Sequence, residues 1–347
     1  MSNRIPVTVV TGFLGSGKTT LLNRMLAPDR ADADEVRRTA LLVNEVGSVG
    51  IDHERVRHIS DNVILLESGC VCCSVRGDLV EALRELFLAA LHKSIPPFSR
   101  IVIETTGLAD PAAVMHTLKY EGFLRDRYVY AGCITVADCT HGLRQLTDYP
   151  QALQQAVQAD VVVLSKADLT SAADREALVD ALGTVNSRVQ IFDQQNLPAL
   201  TELLAAATVN QTIVRDAGQV AGLLSNGTLK ARRFAHDAVH VVTLLVGGEV
   251  SHAAFSRAMG RIHELPGIDL LRLKGLLRFM HEDGLSAVHG VHRQLYPVEP
   301  LAHTGPDAAQ APQAALVFIV SGSKAPEFES LLRDILAEEG IETGVPM

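Results

Sequence analysis

Short, nearly continuous apolar runs recur through roughly the first 205 residues, and between them apolar positions return at helical spacing. Runs that do not alternate with polar residues are expected for strands covered on both faces. The pattern predicts strands over residues 7–10, 40–44, 63–66, 101–104, 129–136, 161–164 and 189–192. Helices are predicted over 78–91, 111–119, 142–158, 172–182 and 198–207, with Pro111 and Pro198 suited to first turns. The polar stretch 28–38 reads as a surface loop. Such alternation implies an α/β fold: a doubly wound, mostly parallel sheet with right-handed crossovers and its ligand at the strands' carboxyl ends.

The pattern then changes. Residues 209–233 are polar and glycine-containing, as in a linker. Beyond them come a strand (239–246), a helix (251–264), strands at 270–279, 287–295 and 314–320, and a helix (327–338). That order predicts a smaller α+β C-terminal domain, its helices on one face of a mostly antiparallel sheet. The expected organisation is residues 1–208, a linker at 209–233, and 234–347.

Composition adds exclusions. The chain has 347 residues, enough for two cores, and a net charge of −9 that argues against nonspecific nucleic-acid binding. No apolar run approaches the ~18 residues of a membrane helix. The first strand begins within a few residues of Met1, leaving no room for a signal peptide. Five cysteines, three of them clustered, do not resemble a secreted disulfide framework. A cytoplasmic protein with no membrane or nucleic-acid partner is expected.

Between the first strand and first helix, Gly12 to Thr19 reads GFLGSGKT, a complete phosphate-binding loop. Gly12, Gly15, Ser16 and Gly17 would curl backbone N–H groups around the phosphates of a nucleoside triphosphate. Lys18 would reach the β/γ-phosphates, and the Thr19 hydroxyl would hold Mg²⁺. A second element, IVIETTG at 101–107, ends its strand in Glu104. This carboxylate is placed for the Mg²⁺ shell, directly or through water, and the Gly107 N–H for the γ-phosphate. Lys18, Glu104 and Gly107 are thus the catalytic candidates. A third element, Ser165-Lys166-Ala167-Asp168, follows the strand at 161–164. Asp168 can accept from the guanine edge, which adenine does not offer, and Lys166 can lay its stem across the base. Ser165 stands where GTPases usually carry Asn, so one loop-bracing amide is missing.

The fourth element is Cys70-Val71-Cys72-Cys73. Three thiols in four residues suit a borderline-soft cation such as Zn²⁺ or Co²⁺; redox switching and inert packing are the alternatives. Cys133 and Cys139 read instead as small apolar side chains in or beside a buried strand.

In this order GFLGSGKTT, Asn44-Glu45, GCVCC, ETTGLADP and SKADL resemble the CobW family of metal-associated P-loop GTPases, whose relatives include nickel-insertion GTPases. Leu273-Lys274-Gly275 and His289-Gly290-Val291-His292 are similar to that family's C-terminal domain. The resemblance implies slow GTP hydrolysis coupled to delivery of a divalent metal to a client metalloprotein. Cys70, Cys72 and Cys73 match the family's metal motif; Gly12 through Thr20, Glu104, Gly107, Lys166 and Asp168 match its nucleotide positions. Val46-Gly47-Ser48 departs from the family's common Phe-Gly-Glu, and a histidine-rich tract is absent. His281, His289, His292 and His303 could form an accessory site, but each reads as a surface or strand residue.

The expected mechanism is a two-state switch in which GTP and Mg²⁺ order 44–52 and 105–110 and the cysteine loop closes on the metal. Two rivals stand beside it. A P-loop kinase or synthetase would turn over nucleotide only with its substrate. A nonenzymatic thiol buffer or sensor would hold metal regardless of Lys18.

Overall fold

The computed structural model describes residues 4–27, 33–45, 63–67, 75–186, 189–208, 240–295, 298–300, 314–324 and 327–344. The chain forms two compact units, one built mainly from the residues up to Thr208 and the other mainly from those after it. The predicted linker lies outside the described residues.

In chain order the first unit carries β1 (Ile5–Thr11), α1 (Lys18–Met25), α2 (Ala33–Arg37), β2 (Thr39–Glu45), β3 (Val63–Glu67), α3 (Val75–Leu91) and β4 (Arg100–Glu104). Next come α4 (Pro111–Tyr120), α5 (Gly122–Arg127), β5 (Tyr128–Asp138), α6 (Gly142–Asp148), α7 (Pro150–Gln158) and β6 (Val161–Ser165). The last elements are α8 (Ala172–Val185), β7 (Gln190–Asp193) and α9 (Leu200–Ala207). The strands form one sheet in the order β3-β2-β4-β1-β5-β6-β7, and every pair is parallel.

Adjacent residues of β1, β2, β4 and β5 enter different cores. Val10, Leu41, Val102 and Ile134 pack with Leu21 and Leu22 of α1 and Leu200 and Leu203 of α9. Val7, Val9, Leu42, Ile101 and Ile103 pack on the other face with Leu83 and Leu86 of α3 and Val114 and Leu118 of α4. Helices on both faces explain why the strands read as unbroken apolar runs. The approach is close at β5, where a Cβ on Gly132 would lie 1.7 Å from the carbonyl oxygen of Ala207.

Several details of the first unit depart from expectation. α9 begins at Leu200 with Ala199 as its N-cap, so Pro198 precedes the helix and is not in its first turn. The predicted helix 142–158 is two helices, α6 and α7, parted at Tyr149. Pro150 has no N–H to donate and its ring obstructs the preceding turn, so it opens a new helix rather than continuing the old one. The predicted loop 28–38 also contains the short helix α2, whose first turn carries Asp34 and Glu35.

The second unit comprises β8 (His240–Val246), α10 (His252–His263), β9 (Asp269–Leu277), β10 (Ser286–Val291), β11 (Gln294–Leu295), β12 (Glu299–Pro300), β13 (Ala315–Ser321), α11 (Phe328–Glu338) and β14 (Thr343–Gly344). Its antiparallel sheet runs β11-β10-β9-β13-β8-β14, with β12 paired to β10. Phe255, Met259 and Ile262 of α10 and Phe328, Leu332 and Ile335 of α11 pack against Leu244, Leu273 and Phe318. The strand predicted over 287–295 is a hairpin, turned at His292, whose φ is 50°.

Candidate nucleotide site

The site grows from the carboxyl end of β1. After Thr11 the chain turns through Gly12, Gly15 and Gly17 with φ of 145°, 70° and 91°. At Gly12 a Cβ would meet the Val136 carbonyl oxygen at 2.5 Å, so only glycine lets the loop lie this close to β5. Gly17 caps α1 in the left-handed conformation with no side chain across the helix end. The first-turn N–H groups of α1 have no intrahelical acceptor, which with the loop amides makes a cradle for phosphate oxygens. Lys18 Nζ donates to the carbonyls of Gly12 and Phe13 at 3.0 and 3.3 Å, so its ammonium lies over the loop.

Parallel pairing of β1 with β4 brings the second element in: Val10 registers with Glu104. Thr19 Oγ1 donates to Glu104 Oε1 at 3.0 Å, and Glu104 is buried. A hydroxyl and a carboxylate side by side at the foot of a phosphate cradle are hard oxygen ligands, and they fit Mg²⁺. Thr105 ties the next turn back to β1, its Oγ1 donating to Thr11 Oγ1 at 2.9 Å. Gly107 then lies against the loop: a Cβ there would sit 2.7 Å from the Leu14 nitrogen.

The third element closes the other side. Ser165 Oγ donates to the Ser16 carbonyl at 2.6 Å. The brace that the sequence reads as missing is therefore present, made by a hydroxyl instead of an amide. Lys166, at φ 56°, donates through Nζ to Gly15 O at 2.8 Å and to Asp138 Oδ2 at 2.7 Å. Asp138 also accepts from the Thr140 N–H and hydroxyl. Burial works to raise the Asp138 pKa, but the hydrogen bonds from Lys166 and Thr140 outweigh it and hold the carboxyl below its usual range. Asp168 is exposed in the turn Ala167–Leu169. Thr20 is exposed on the first turn of α1, away from the buried residues.

Asp138 belongs to none of the sequence motifs; its partner is Lys166, 28 residues on. A strand-end acid after an apolar run is the same signal that marks Glu104, and it would have found this residue too.

Cys70, Cys72 and Cys73 lie outside the described residues, as does His303. Among the described residues no three His, Cys, Asp or Glu side chains gather as a metal site. Cys133 and Cys139 are buried and join no disulfide, and burial pushes the Cys139 thiol up to about 11. His281 is exposed in a turn and His289 is buried in β10. No described helix is long and apolar enough to cross a membrane.

A parallel sheet with a glycine loop running into α1, a Thr–Glu pair beneath it and a lysine over it defines a P-loop nucleotide-binding protein. Residues 6–193 match the CobW/HypB/UreG nucleotide-binding domain, and residues 239–336 match the cobalamin synthesis protein CobW C-terminal domain. The chain belongs to this family.

Among its relatives is the zinc chaperone YjiA of Escherichia coli K12, 35% identical over 190 residues, which are 55% of this chain and 57% of that protein. The zinc-regulated GTPase metalloprotein activator 1 of Schizosaccharomyces pombe is 32% identical over 197 residues, 54% of this chain and 45% of the other. The chain thus spans about half the length of these two relatives. The zinc chaperone CobW of a Sinorhizobium species is 29% identical over 304 residues, 78% of this chain and 81% of that one. The crystal structure of Zn(II)-bound YjiA GTPase from E. coli shares the fold, with a TM-score of 0.63 at 23% identity over 97% of this chain and 99% of that one.

Proposed function

We propose that this protein is a cytoplasmic GTPase that binds GTP with Mg²⁺, hydrolyses it slowly, and uses the cycle to deliver a divalent metal to a client metalloprotein. Zn²⁺ is favoured as cargo because relatives are named zinc chaperones, and Co²⁺ is the second candidate on thiolate chemistry. The domains proposed for this division of labour are 1–208 and 234–347, joined by 209–233. The observation that carries the nucleotide half is the contact of Thr19 with Glu104 directly under a loop of left-handed glycines.

When bound, Mg²⁺ would neutralise developing charge on the β/γ-phosphates, with Thr19 and Glu104 its nearest protein groups. Lys18, whose ammonium is held over the loop by two neutral carbonyl acceptors, would exchange them for charged phosphate oxygens and gain an ion pair. Asp168 accepts from guanine, while Ser165 and Lys166 hold the loop from the base side. Gly107 presents its N–H to the γ-phosphate and withdraws it after hydrolysis. Cys70, Cys72 and Cys73 are proposed as the cargo ligands, tightened in the GTP state.

Linkage makes the proposal testable, because GTP must tighten metal by the factor by which metal tightens GTP. Zn²⁺ and Co²⁺ would be titrated with Mg²⁺ and either GDP or a nonhydrolysable GTP analogue. A gain in metal affinity with the analogue, lost in Cys72→Ala and in Lys18→Ala, is expected. Equal metal affinity in both nucleotide states would sink the chaperone cycle.

A further inference from the structure

The segment that carries Gly107 is gripped from a helix no nucleotide motif includes. Gln155 of α7 is buried, at 1% exposure, and its Nε2 donates to Gly107 O at 3.2 Å and to Ala109 O at 3.1 Å. Two carbonyl acceptors dictate that the NH₂ end, not the oxygen, faces the segment. One turn on, Gln158 Nε2 donates to Asp110 Oδ1 at 2.8 Å. Asp110 in turn accepts from the Ala112 N–H and so caps α4. Residues three apart share a helix face, so both amides meet the same stretch of chain. α7 is itself seated on the sheet, Thr135 Oγ1 donating to the Gln155 carbonyl at 2.8 Å.

We infer that Gln155 is a positioning residue for γ-phosphate recognition, holding the Gly107 peptide in register with the phosphate cradle, with Gln158 in a lesser role. This rests on the GTPase proposal above and adds to it. Gly107 is pressed between the backbone at Leu14 on one side and the Gln155 amide on the other. Pinning its carbonyl restricts rotation of the peptide that follows it, and with it the direction in which the preceding N–H points. Because α7 runs into β6, which carries Ser165 and leads to Lys166, one stretch of chain supports both the γ-phosphate side and the base side.

The Gly107 N–H can meet only a third phosphate, so loss of Gln155 should separate triphosphate from diphosphate. Gln155→Met keeps the length and the apolar stem without donors. Gln155→Glu turns an acceptor toward two carbonyls and should be worse. On the full chain with Mg²⁺, calorimetric titration with a nonhydrolysable GTP analogue is expected to weaken about tenfold in Gln155→Met, the scale of one to two buried hydrogen bonds. GDP affinity should change by less than about twofold, kcat should fall, and Gln158→Met should show the same split more weakly.

Retained GDP affinity also reports that the variant is folded. Equal weakening of both nucleotides, or no change in either, would overturn the positioning role. Should Gln155→Met fail to fold, the same comparison in Gln158→Met decides, and an absence of any split there counts against the inference. Failure of the unaltered protein to bind GDP at all would instead strike the GTPase proposal.

Discussion

Ser165 shows how far one residue can be read from its type. By pattern it is a lost Asn; in place, its hydroxyl is buried and bonded to the Ser16 carbonyl. Ser165→Ala is expected to cost about 1 kcal/mol of stability, measured by urea unfolding, because it leaves a buried carbonyl without its donor. It should weaken GDP and a GTP analogue alike, since the brace acts on the loop as a whole. That uniform loss distinguishes it from Gln155, whose two amide bonds fall on the segment proposed to sense the γ-phosphate. Gly12, Lys18, Thr19 and Glu104 were legible because their roles follow from local spacing and strand ends. Asp138 carries the same strand-end signal as Glu104 but belongs to no motif, and Gln155 has no local mark at all, since its amide's role is set by Gly107, 48 residues away.

At the scale of elements, packing sets which residues are tolerated. Gly132 lets α9 meet β5 at backbone distance, and a methyl there would overlap Ala207 O at 1.7 Å. Gly132→Ala is therefore expected to destabilise the first unit by about 3 kcal/mol or more, or to prevent soluble expression. In the second unit β9 and β10 place Lys274 opposite His289, and Arg272 two residues along the same strand. All three are buried. Burial first, then the charges of Arg272 and Lys274, hold the His289 pKa well below its ordinary value. A histidine with a depressed folded pKa contributes stability above its unfolded pKa of about 6.5 and loses it as pH falls. Stability of this unit should accordingly decline below about pH 6.5, and His289→Gln should flatten that decline in unfolding measured across pH. Pro150 is the element-level feature that periodicity missed: the apolar spacing runs through 142–158, and only the chemistry of the imino acid divides it.

For the whole molecule, the nucleotide should act as a ligand on folding. GDP at about 100 times its Kd is expected to stabilise the first unit by about 2.7 kcal/mol. Hydrogen exchange resolved by peptide should place that gain in β1, β4, β5 and β6 and not in β8, β9 and β13, with Lys18→Ala abolishing it. By itself the sequence determined the two-part organisation, the alternation of strand and helix, and the loop that binds phosphate. Each of these is written in short-range order: hydrophobic period, glycine placement, and an acid or lysine at a strand end. The strand order β3-β2-β4-β1-β5-β6-β7 was decided only in three dimensions. So were the Thr19–Glu104 contact, the Asp138–Lys166–Gly15 tie and the grip of α7 on Gly107. These join groups far apart along the chain, and their partners are selected by which strands lie side by side. Parallel pairing brings the ends of β1, β4, β5 and β6 to one edge, and that shared edge turns the glycine loop, the Glu104–Gly107 and Ser165–Asp168 motifs and Asp138 into one site.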